Sequence, residues 1–134
     1  MALAQELRDR LVLPAFAAPM FLCSGPALAA SCCTSGIIGS LTRNHCRDIE
    51  ELEEQLKTVT EAVARFSGKN PGAKIGPLAV NITPTFSAEE FRAHLALCRR
   101  YGVRIIVTSV GPYTNFRDPE GRVIKLSEEK TVVA

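Results

Sequence analysis

The chain has 134 residues, 46% of them hydrophobic and 22% charged, which suits one domain with a single core and excludes a disordered chain. Its 16 basic and 14 acidic residues leave a formal charge of +2, too little for a strong pull toward nucleic acid or an anionic membrane surface. No apolar run approaches the roughly 20 residues that cross a bilayer.

The first informative stretch, LPAFAAPMFLCSGPALAASCC from Leu13 to Cys33, admits two readings. One is an export signal with a small-residue cleavage site before a cysteine. The other is a buried strand, a loop and the first turns of a helix. An export signal needs a basic start, yet Glu6 and Asp9 offset Arg8 and Arg10. It also needs an uninterrupted apolar helix, and Pro14 and Pro19 fall inside the run. Five cysteines, an odd number with Cys32 and Cys33 adjacent, make a poor disulfide framework. The expectation is therefore a cytoplasmic chain in which residues 11–33 are retained and largely buried.

Taken in order, strands are predicted near 12–18, 37–41, 77–82 and 103–109, and helices near 26–35, 48–67 and 87–101. Ser24, Gly25 and Pro26 offer the first helix start, and Gly36 a natural C-terminal stop. Asp48 caps the second helix. There Ile49, Leu52, Leu56, Val59, Val63 and Phe66 recur at steps of three and four, with Glu53, Glu54, Lys57 and Arg65 on the wet face and Gly68 as the stop. Ser87 and Glu90 have capping-box spacing for the third, whose buried face is Phe91, Leu95 and Cys98, with Gly102 ending it. VRIIVTSVG is β-branched and apolar on both faces, as a covered parallel strand is. This β-α-β-α-β-α-β alternation means α/β architecture with a parallel sheet. After Gly111 the pattern stops, and Asp118-Pro119-Glu120-Gly121 predicts a hairpin or irregular tail over 112–134.

Ligands of parallel α/β sheets sit outside the carboxyl ends of the strands. Those ends are Ala18–Phe21, Ser40–Thr42, Asn81–Thr83 and Thr108–Gly111. They contain no acid/base pair, no metal cluster and no nucleophile backed by a base. Small residues, main-chain groups, hydroxyls and one carboxamide suit a flat heterocycle.

LPAFAAPMFLCSGPALAASCCTSGIIGSL, followed by AVNIT and RIIVTSVG, resembles the nitronate monooxygenase family, formerly the 2-nitropropane dioxygenases. The likeness covers roughly the first hundred residues and is strongest over Leu13 to Leu41. It implies an FMN-dependent oxidoreductase on a TIM barrel, of which residues 1–111 would form the N-terminal half, with four strands and three helices, and 112–134 a divergent tail. Carried over by that likeness, Ala18, Pro19 and Met20 would line the flavin ring, Asn81 would hydrogen-bond the ring or ribityl chain, and Ser109 would face the same cavity. The catalytic histidine, the phosphate-gripping loops and strands five to eight of the family have no counterpart, so the catalytic residue is unknown and a truncated form is expected. The substrate implied is a small nitronate-like acid.

Plainer readings stand beside these. Met20 also suits a core plug and Asn81 a turn. His45 lies in a polar loop, and His94 beside a buried stripe. Cys32 and Cys33 read as small helix residues, since vicinal cysteines bridge only with strain. A non-catalytic half-barrel would leave edge strands open to pairing, through which the chain would self-associate.

Overall fold

Three short apolar runs pair side by side in the computed structural model, which describes residues 5–83, 85–108 and 132–133. Strands β1 (Gly39–Thr42), β2 (Leu78–Asn81) and β3 (Ile105–Val107) are parallel and adjacent in that order. Gly39 lies beside Leu78, and Ala79 beside Ile105. A two-residue strand, β4 (Val132–Val133), adds antiparallel to β3. Helices α1 (Gln5–Arg10) and α2 (Pro26–Thr34) precede β1, α3 (Ile49–Lys69) joins β1 to β2, and α4 (Ala88–Arg100) joins β2 to β3. The alternation and the parallel sheet agree with the sequence pattern. Helix α1 was not expected; at six residues it is too short to show a periodic stripe. Its Leu7 packs against Leu11 and the sheet.

The expected first strand is the main departure. Residues 12–18 make one isolated parallel bridge, Phe16 to Ile38, and no named strand. The bonds Val12 N–H to Gly36 O, Ile38 N–H to Ala15 O and Ala17 N–H to Ile38 O hold the segment against β1's approach. Pro14 and Pro19 lack the N–H groups that a longer ladder needs. The segment is also less buried than expected. Leu11, Ser24, Ala29, Ala30 and Cys33 are buried, but Val12, Leu13, Phe21 and Leu22 are exposed, Leu22 by 78%. Val12 and Leu13 belong to the segment beside β1, and Phe21 and Leu22 to the turn that follows it. Of the predicted tail, only Val132 and Val133 lie among the described residues.

The sheet has two unlike faces. Leu41, Val80 and Ile82 point into the helical layer, where they meet Ala29 and Ala30 of α2, Leu52, Leu56 and Val59 of α3, and Phe91, Leu95 and Cys98 of α4. Ile38, Ala79, Ile105 and Val107 form a second cluster on the opposite face with Leu11. Both predicted caps are present: Asp48 Oδ1 accepts from Glu51 N–H at 2.8 Å, and Ser87 and Glu90 form a reciprocal capping box. Gly68 does not stop α3, which runs on to Lys69, because Asn70 closes the last turn by bonding the Phe66 carbonyl. Glu53 is not simply a wet-face residue either: it bonds Arg100 at 2.7 Å and the Tyr101 hydroxyl at 2.9 Å, tying α3 to the end of α4.

The two glycines of Gly36-Ile37-Ile38-Gly39 do separate work. Gly36 follows the α2 cap with φ +78°, a left-handed turn that sends the chain back along the sheet. A Cβ on Gly39 would stand 2.5 Å from Ala29 O and 2.7 Å from Cys33 Sγ, so glycine sets how closely α2 approaches β1. Gly39→Ala is expected to destabilise the chain by about 1–3 kcal/mol through overpacking, seen as a lower urea midpoint with an unchanged slope.

Candidate functional site

At the carboxyl ends of the strands, side chains bridge one chain segment to the next. Ser40 Oγ donates to Ala17 O at 2.6 Å, joining the N-terminal segment to β1. Thr42 Oγ1 donates to Asn81 Oδ1 at 3.3 Å, joining β1 to β2. Asn81 Nδ2 donates to Val107 O at 3.1 Å, joining β2 to β3. Ser40, Thr42 and Asn81 share a face because parallel partners do: Thr42 pairs with Asn81, and Asn81 with Val107. Asn81, 4% exposed, is therefore a buried crosslink within the sheet rather than a turn residue.

The loop from Ala18 to Ser24 closes on a hydroxyl. Met20 N–H donates to Ser24 Oγ at 2.8 Å, and Ser24 N–H returns to Met20 O at 2.9 Å. Ser24 Oγ also points at Ala18 O, 3.4 Å away. Ser24, predicted as part of a helix start, is instead buried under this loop, and Gly25 occupies the cap of α2. The side chain of Met20 is 46% exposed, so it is not a core plug. Ala18 is exposed and Pro19 half-buried. Ala17, through Ser40, brings this loop to the same end of the sheet as Asn81, while Ser109 lies outside the described residues.

A second constellation flanks the same end. Just after β1 the chain makes a 3-10 turn, Arg43–His45. Arg43 is 7% exposed; its Nε donates to His94 Nε2 at 2.6 Å and its Nη1 to Cys46 O at 2.6 Å. Its guanidinium lies 5.0 Å from the centre of the Phe86 ring. His45 Nδ1 stands 2.8 Å from Phe21 O and must donate to it, tethering the Ala18–Ser24 loop to this turn. Thr83 Oγ1 reaches Asn44 Oδ1 at 2.9 Å, tying the exit of β2 to the same turn. Arg43 is invisible to sequence reasoning, since an arginine after a strand reads as solvated and its partner is 51 positions along the chain. His94, which the sequence sets beside a buried stripe, lies inside it.

The three buried thiols, Cys33, Cys46 and Cys98, are not poised as nucleophiles. Burial pushes Cys46 up to about 11 and Cys98 to about 12, and raises Cys33 as well. All five cysteines are free. At the carboxyl ends the hydroxyls of Ser40 and Thr42 and the carboxamide of Asn81 are buried and bonded within the fold, and Met20 is half exposed in the loop that follows Ala17. Comparison of the chain with protein-family models, curated proteins and solved structures finds no match.

Ser24 is the keystone of the loop. Ser24→Ala leaves the part-buried Met20 N–H without its acceptor, and a stability loss of about 1–3 kcal/mol is expected by urea denaturation.

Proposed function

We propose that the chain is the ring-binding part of an FMN-dependent oxidoreductase of the nitronate monooxygenase kind, built on a partial β/α barrel and acting on a small nitronate-like acid. The observation that carries this reading is the junction at the carboxyl ends: the Ala18–Met20 loop, tied through Ala17 and Ser40 to the sheet end that holds Thr42 and Asn81. The donor set fits a flavin ring in kind, being uncharged and composed of main-chain groups, hydroxyls and a carboxamide. Ala18, Pro19, Met20 and Asn81 would hold the ring, with Ser109 beside it. FMN, when bound, supplies electron transfer, and the chain supplies position and hydrogen bonds. Met20 N–H and Asn81 already have partners within the fold, so binding must exchange bonds rather than add them.

Among the described residues no helix is long and apolar enough to cross a membrane. A cytoplasmic chain goes with this reading, because five free thiols suit a reducing compartment. Nucleic acid and membrane are not partners in it.

A second reading, an interaction module that self-associates, is favoured by one observation. Val12, Leu13, Phe16, Met20, Phe21 and Leu22 are all exposed, in the segment beside β1 and the turn that follows it, and an apolar patch of this kind invites another chain.

Titrating FMN into the full chain separates the two. Saturable but weak binding is expected, weakened a further tenfold or so by Asn81→Ala, together with oxygen uptake on adding an alkyl nitronate. Absence of saturable binding at about 1 mM FMN, a free energy of only about −4 kcal/mol, discards the flavin reading.

A further inference from the structure

The turn after β1 is held by a bond that only one protonation state of His94 permits. Arg43 Nε can donate and cannot accept, so His94 Nε2, 2.6 Å away, must be the acceptor. The ring proton then sits on Nδ1, which donates to Glu90 O at 2.6 Å. The imidazole is 3% exposed, with the Phe86 ring 4.6 Å from its own. A second proton can enter only at Nε2. There it would set N–H against N–H, and cation against cation, with little water to screen them.

We propose that His94 is an acid-released latch: protonation at Nε2 expels the Arg43 guanidinium, frees the Arg43–Cys46 turn, and slackens the Ala18–Ser24 loop that His45 tethers through Phe21 O. The charged groups acting on the imidazole are few. Arg43 faces it from the turn, and Glu90 lies on its own helix, with the Glu90 carboxylate taken up by Ser87 N–H at 2.8 Å. Burial first, and the guanidinium beside it, hold His94 below its ordinary 6.5; the Glu90 carbonyl and carboxylate oppose them. The stabilising contribution of neutral His94 is thus complete above about 6.5 and is lost as pH falls below it, through the folded-state value. His45 differs, because an imidazolium still donates from Nδ1 to Phe21 O. Acid therefore acts through His94.

The test is amide hydrogen exchange on the full chain, corrected for intrinsic rates, with the His94 ring followed by NMR from about pH 7.5 to about pH 5, the range that brackets histidine. Cys46 N–H, which bonds Arg43 O at 3.0 Å, should lose protection by about tenfold or more. Its midpoint should match that of the His94 ring, while amides in the middle of α3 hold. In His94→Gln the carboxamide oxygen can accept from Arg43 and does not titrate, so the pH dependence should disappear. Cys46 protection that stays flat with pH in the native chain, or falls equally in His94→Gln, overturns the proposal. If the variant fails to fold, the native chain decides alone: a His94 midpoint at or above 6.5, or one that does not match the loss of Cys46 protection, overturns it equally.

Discussion

The carboxamide of Asn81 bonds both strands that flank it, accepting from Thr42 on one side and donating to the Val107 carbonyl on the other. Main-chain ladders of four and three residues fix little by themselves, because short parallel strands pair weakly and depend on covered faces. The carboxamide supplies a crosslink where the ladder ends, in a buried position where an unpaired amide costs about 1–3 kcal/mol. It fixes the Thr42 hydroxyl directly, and beside it the Thr83 side chain reaches back to Asn44 in the turn that begins at Arg43.

The helical layer and this edge are stabilised differently. On the helical side, Leu41, Leu52, Leu56, Val80 and Ile82 are fully buried, and removal of apolar surface from water dominates. At the carboxyl edge, polar groups close on one another, and geometry rather than area decides. The Arg43–His94–Phe86 cluster stands between the two regimes. It buries a cation against an aromatic face and a neutral imidazole, and among the described residues no carboxylate forms an ion pair with it. Such an arrangement holds its shape only while every partner keeps its protonation state.

Features that repeat or act locally were legible in the sequence. The α3 stripe shows through its period, and the Asp48 and Ser87 caps show because their partners lie three residues away. The segment 12–18 was legible in composition and misleading in structure: its apolar letters read as a strand, while its prolines withhold the donors that a strand needs. For the candidate site, the positions at the strand ends were legible, but what they do was not. Asn81 shows as a carboxamide at a strand end, and its two bonds depend on residues 39 and 26 positions away. Arg43 and His94 are 51 apart, and no local pattern announces that they meet.

Those separations govern the order in which the molecule can assemble. The bond from Ser40 closes 23 residues, the bond to Thr42 closes 39, and the bond to Val107 closes 26. Each closure costs chain entropy before its contacts reward it. During synthesis β1 has only the segment before it as a neighbour, through Phe16 and Ala17, until α3 and β2 have left the ribosome. Asn81 stays half-satisfied until β3 arrives. Through that interval the edge of β2 is open, and the apolar run between Val12 and Leu22, tied to Gly36, Ile38, Ser40 and His45, stays exposed, so the nascent chain is at its most vulnerable to collisions with its own copies.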